Sequence, residues 1–241
     1  MPRVILHILG TAQPEGTSIA RMMSTLGSFL DPAYYRLHAW FLGDAGPLVD
    51  VLRSSGIAAE SVPWRYGARD PAGMFRFFRA SQGTNFALVH QHFGGRSVRR
   101  LARWLLRSPI IVHLHGRIDE TAGVVSPVAI ADAEAVIAVS RAVSSNVLGT
   151  RPDVVYPGIA AAGGEPPART MGSAGIVIGT ATRLVSVKGL GYLLHAFAAL
   201  RKRHTEVRLE IAGAGGEERA LRQLAHDLGI ANAVSFLGWR V

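Results

Sequence analysis

Short apolar runs alternate with amphipathic runs along this chain, and that alternation constrains its fold more than any other feature. Strand-like runs rich in Val, Ile and Leu fall at residues 4–9, 38–42, 86–90, 110–114, 135–139 and 154–156, with helical patterns between several of them. A strand, crossover helix, strand series predicts parallel sheets covered by helices on both faces. Beyond residue 160 the series breaks into a Gly-, Pro- and Ala-rich stretch without an apolar period, which reads as a linker. The alternation restarts at Ile176. The expected class is therefore α/β, with two Rossmann-like parallel-sheet domains, residues 1–160 and 176–241, joined by a linker at 161–175. The second is short, so its sheet is expected to be incomplete.

With 241 residues, 49% of them apolar, the chain can bury a sizeable core without staples. It has no cysteine, which excludes disulfides and thiolate chemistry and fits a reducing compartment. The apolar run at residues 2–10 is too short for a signal peptide. No uninterrupted apolar run reaches the roughly 18 residues a bilayer span needs. The longest candidate, 124–139, is broken by Asp132 and Glu134. A cytoplasmic protein is the expectation. The net charge of +9 is carried almost wholly by arginine, Lys188 and Lys202 being the only lysines. Such a charge suits nucleic acid, anionic lipid or phosphorylated substrates. No helix-turn-helix, zinc-finger or RNA-binding pattern is present, so nucleic acid is not an expected partner.

The apolar run at 176–180 reads as a buried strand, and Leu190, Leu193, Leu194, Phe197 and Leu200 share one face of a following helix. Arg183 and Lys188 thus sit on a strand-to-helix loop, with no carboxylate between residues 179 and 200. That loop lies beside free helix N–H groups and the positive end of the helix dipole. Two readings stand on spacing alone: a solvated basic loop, or a loop that binds a diphosphate through both cations and the backbone donors.

The surrounding residues resemble the retaining nucleotide-sugar glycosyltransferases of the group 1 type. That family carries Gly-Arg-Leu, three residues, then Lys-Gly before a Leu-rich helix. Here Thr182 stands in the usual Gly position, followed by Arg183, Leu184, Lys188 and Gly189. The strand at 207–213, the glycine-rich turn at 213–216, a helix bearing Leu221, Leu224, Ala225 and Leu228, and the strand at 234–238 come in the family's order. The first half matches more loosely. Its landmarks are Gly16 after the first strand, with Glu15 in place of a preceding glycine, the runs ending His90-Gln-His92 and His113-Leu-His115-Gly116, and Val154-Val-Tyr-Pro-Gly158. The resemblance implies the GT-B fold and transfer of a sugar from a nucleotide-diphosphate donor, with retention, to an acceptor that could be lipid-linked. It implies that Arg183 and Lys188 hold the donor diphosphate, that Gly16 allows close approach of the donor, and that His115 stands near the reacting sugar as the candidate catalytic group. No cofactor and no metal are implied, since two cations can offset the diphosphate charge. An ordinary helix-entry turn remains open for Gly16.

The family also has a glutamate, seven residues, then a second glutamate that contact the donor. No such pair follows Ile176 in the right context, because Glu210 and Glu218 straddle the glycine turn. The expectation is a C-terminally truncated member, weak or inactive alone. The alternatives are a non-catalytic phospholigand-binding module or one half of a split enzyme. A dinucleotide-dependent oxidoreductase is disfavoured, because Gly10 is followed by Thr11 and Ala12 and not by a Gly-x-Gly-x-x-Gly turn.

For the histidines, each His-x-His pair points to one face of its strand. Packing at strand ends, a role near the substrate, and a zinc site all remain open, with zinc the least supported for want of cysteine or a nearby carboxylate. Finally, Arg96, Arg99, Arg100, Arg103 and Arg107 recur at helical spacing opposite Val98, Leu101, Ala102 and Leu105. They predict a solvated basic face, or one that docks peripherally on the anionic inner face of a membrane.

Overall fold

A computed structural model describes residues 1–13, 17–65, 70–116, 127–158 and 175–240. Two compact units divide the chain, residues 1–162 and 163–241. The predicted linker falls outside the described residues apart from Gly175. Among the described residues, no helix is long and apolar enough to cross a membrane.

The first unit runs β1 (Arg3–Leu9), α1 (Thr17–Phe29), β2 (Tyr35–Phe41), α2 (Pro47–Ser54), β3 (Ala58–Ser61), α3 (Pro71–Ala80), β4 (Phe86–Gln91), α4 (Gly95–Leu106), β5 (Ile110–Leu114), α5 (Pro127–Ile130), β6 (Ala135–Ala138), α6 (Arg141–Ser144) and β7 (Asp153–Val154). Its seven described strands form one sheet in the order β3-β2-β1-β4-β5-β6-β7, with parallel pairing throughout. The alternation of side chains along each strand feeds two cores. Leu37, Ala39 and Phe41 of β2 pack with Ala20, Met23, Leu48 and Leu52 of α1 and α2. Trp40 and Leu42 face the other way, toward Phe77, Val98 and Ala102 of α3 and α4. Proline at the first position opens both α2 and α3, and the Asp70 carboxylate caps α3 by accepting the Gly73 N–H at 2.7 Å.

The strand order reverses direction between β1 and β4. In a doubly wound sheet, ligands settle at that switch, outside the carboxyl ends of the strands. A cavity of about 480 Å³, lined by Val4, Leu30, Tyr35, His38 and Ile57 among others, lies at the opposite, amino ends.

The second unit runs β8 (Val177–Ala181), α7 (Leu190–Arg201), β9 (Arg208–Ala212), α8 (Glu218–Asp227) and β10 (Val234–Gly238), and its described strands form a parallel sheet in the order β10-β9-β8. Leu190, Leu194 and Phe197 of α7 meet Leu209 and Ile211 of β9 and Leu221 and Ala225 of α8 in one core.

The basic stripe on α4 is corrected by the structure. Arg99 is buried, at 1% exposure. Its Nε and Nη2 donate to the carbonyls of Ala131 and Ala129 at 2.7 and 2.6 Å, and its Nη1 donates to Gln91 Oε1 at 3.1 Å. Arg96 pairs with Asp132 at 3.0 Å, and Arg103 pairs with Glu134. The segment at 127–134 lies over this face of the helix and takes up three of the five cations. Arg100 and Arg107 are left as the exposed members without ion pairs among the described residues. α4 thus presents Arg96, Arg100, Arg103 and Arg107 to solvent, the first and third of them in ion pairs, and buries Arg99.

Candidate functional site

In the second unit, the loop between β8 and α7 carries Arg183 and Lys188. Both side chains are exposed, and among the described residues neither forms an ion pair or a side-chain hydrogen bond. Lys188 ends a turn of 3₁₀ helix at Ser186–Lys188, and Gly189, at φ +66°, leads into α7 with no side-chain cap. The first N–H groups of α7 thus point out of the helix end next to a free ammonium group.

The course of this loop is fixed by its neighbour. Thr182 N–H donates to Ala212 O at 3.0 Å, Leu184 N–H to Ala214 O at 2.9 Å, and Glu217 N–H to Leu184 O at 3.0 Å. Such close approach demands glycine on the facing turn. A Cβ at Gly213 would lie 1.8 Å from Thr182 O, at φ +138°, and one at Gly215 would lie 2.3 Å from Leu184 O. The glycine-rich turn therefore clamps the backbone on either side of Arg183. Glu210 lies in β9 and Glu218 opens α8, on opposite sides of that turn.

In the first unit, the carboxyl ends of β1, β4 and β5 gather five histidines. His7 and His90 are direct register partners on β1 and β4. His92 follows β4 and His115 follows β5, with His113 inside β5. His7, His92 and His113 are 1, 8 and 6% exposed, and His90 and His115 are half-buried. The rings stack, with centroids 4.4 Å apart for both the 90/92 and 113/115 pairs. Three ring-to-ring contacts fall at hydrogen-bond distance: His7 Nδ1 to His92 Nε2 at 3.0 Å, His90 Nε2 to His113 Nδ1 at 3.1 Å, and His92 Nδ1 to His115 Nε2 at 2.7 Å. Burial disfavours the imidazolium, and the neighbouring rings add to this for all but His113. It pulls His7 and His115 down to about 4 and His90 to about 2, and lowers His92 and His113 in the same direction. At neutral pH His115 is thus an uncharged hydrogen-bonding group. Phe93 stacks on its outer side at 5.9 Å.

The His-x-His spacing placed His90 with His92 and His113 with His115; the structure brings the two pairs together and adds His7. Its sequence signal was slight, a histidine on the first strand; only the placement of β1 beside β4 makes it a neighbour. Gly16 lies outside the described residues.

Residues 171–240 match the family model described as "Glycosyl transferases group 1". The match lies within the second unit and covers less than a third of the chain. No curated protein sequence matches the chain. Among solved structures, HepE of Anabaena, determined with UDP and glucose, superposes with a TM-score of 0.72 at 20% identity, over 98% of this chain and 69% of its own. A glycosyltransferase from Rickettsia africae superposes at 0.69 with 16% identity, over 99% of this chain and 69% of its own. A candidate UDP-N-acetylglucosamine 2-epimerase from Listeria monocytogenes superposes at 0.60 with 13% identity, over 100% and 70%. At these identities the likeness establishes the fold, two Rossmann-like units of the GT-B type, and leaves the reaction to be argued from the residues.

Proposed function

We propose that this chain is a glycosyltransferase that takes a sugar from a nucleotide-diphosphate donor and transfers it with retention. The observation that carries the reading is the clamped loop with two cations, Arg183 and Lys188, unpaired among the described residues, beside the open N-terminus of α7. As the bond from sugar to diphosphate breaks, negative charge builds on the leaving phosphate. A guanidinium, an ammonium and helix N–H groups already aimed at that charge lower the barrier without reorganising. The solved relative from Anabaena was determined with UDP and glucose, which supports a uridine nucleotide as the first donor to try. His115, neutral at the carboxyl end of β5, offers a hydrogen bond to a sugar hydroxyl, and Gly16 offers a close approach to the backbone. The two domains are assigned to residues 1–160 and 176–241, with the acceptor on the first.

The test is incubation of the purified chain with UDP-sugars, following release of UDP, together with thermal-shift measurement. The expected result is stabilisation by nucleoside diphosphates that Arg183→Ala shifts to about 10- to 150-fold higher ligand concentration. Stabilisation without any UDP release would favour the alternative of a phospholigand-binding module or half of a split enzyme. No stabilisation by any nucleoside diphosphate would reject both.

A further inference from the structure

The geometry points to a divalent transition-metal site in the first unit, formed by His92, His113 and His115 and suited to Zn²⁺. One nitrogen from each of these residues lies within 4.8 Å of those of the other two. His92 Nδ1 and His115 Nε2 already face each other at 2.7 Å, and the buried His113 Nε2 has no hydrogen-bond partner among the described residues. Those three atoms are the ligands. A tetrahedral ion with Zn–N bonds of about 2.0–2.1 Å sets its ligand atoms roughly 3.3–3.4 Å apart, so the ion replaces a shared proton once the His92 and His115 nitrogens open by about 0.6–0.7 Å and His113 closes by up to about 1.4 Å.

The remaining nitrogens agree with this assignment. A metal-binding imidazole nearly always has its other nitrogen held by an outer partner that fixes ring orientation. Here His92 Nε2 lies 3.0 Å from His7 Nδ1 and His113 Nδ1 lies 3.1 Å from His90 Nε2, and with the ion on His92 Nδ1 and His113 Nε2 each of these two becomes the donor. Each outer contact then has one donor and one acceptor. The unpartnered nitrogen of His113, 6% exposed and otherwise a desolvated polar atom without compensation, is accounted for as well. A second group, His7, His90 and His92, also meets the distance requirement, but it shares His92 and uses the rings that serve as outer partners. One ion is therefore expected per chain. Three histidines leave a fourth position, on the side of the half-buried His115, for water or an oxygen ligand. The expectation that no metal is needed concerned the donor diphosphate in the second unit. This site does not rest on the transfer reading, though it shares His115 with it: Nε2 holds the ion, and Nδ1 is left for a substrate hydroxyl.

The experiment is titration of the tag-free, chelator-treated chain with Co²⁺, read by visible ligand-field absorption, followed by Zn²⁺ displacement. One equivalent of Co²⁺ should give the strong band of a four-coordinate nitrogen site, and Zn²⁺ should abolish it. His115→Gln should lose the band. His90→Gln, an outer partner, should weaken binding by about 10- to 100-fold while keeping it. The exposed His195→Gln should change nothing. Circular dichroism verifies that each variant is folded. Absence of the band in the folded parent chain overturns the proposal, whatever the variants do, and so does an undiminished band in folded His115→Gln.

Discussion

Arg99→Ala should destabilise the first unit far more than its neighbour Arg100→Ala, although periodicity places both on the same helical stripe. The Arg99 guanidinium is buried and spans three acceptors, the carbonyls of Ala129 and Ala131 and the amide oxygen of Gln91, at 2.6, 2.7 and 3.1 Å. Burial lowers its pKa, with Asp132 opposing that effect and Arg96 and Arg103 adding to it. Truncation leaves three acceptors without their donor, at about 1–3 kcal/mol for each that water does not reach. It also leaves a space where the side chain packed. A loss of about 3–5 kcal/mol is the expectation, in line with breaking other buried charged networks. For a unit of this size, each kcal/mol moves the midpoint by about 2–4 °C, so Tm should fall by about 6–20 °C. Arg99→Lys should recover only part of this, because one ammonium cannot reach three divergent acceptors. Arg100→Ala, exposed and unpaired, should stay within about 0.5 kcal/mol. The assay is thermal or urea unfolding followed by tryptophan fluorescence, with Trp40 fully buried in this unit. A midpoint for Arg99→Ala within about 2 °C of the parent would refute the reasoning.

Other outcomes follow from the second unit. Gly213→Ala places a methyl group 1.8 Å from Thr182 O. It should displace the Arg183 loop and abolish nucleotide binding even where circular dichroism still reports a folded chain. Leu194→Ala removes a fully buried side chain from the core of that unit and should cost about 2–5 kcal/mol in urea unfolding.

The sheets were legible because parallel strands buried on both faces leave near-continuous apolar runs. β3 was not, because Ala58-Ala-Glu-Ser61 has no such run and pairs only along one edge of the sheet. Two-residue periodicity placed His90 with His92 and His113 with His115. It could not reach His7, which joins them through a crossover that sets β1 against β4. Arg99 was misjudged for a related reason. Helical periodicity reports where a side chain points, and the segment that buries it lies about 30 residues further along the chain. The Arg183 loop read correctly as a strand-to-helix connection, whereas the clamp from Gly213 and Gly215 emerged only once β8 and β9 were paired.

Calorimetric titration of UDP into the parent chain, Arg183→Ala and Lys188→Ala tests the central claim most directly. Each cation supplies a charge-assisted hydrogen bond worth about 1.5–3 kcal/mol, so each variant should bind about 10- to 150-fold more weakly. The parent's affinity should also fall as salt rises. Equal affinities across all three proteins would contradict the assignment of this loop to a diphosphate.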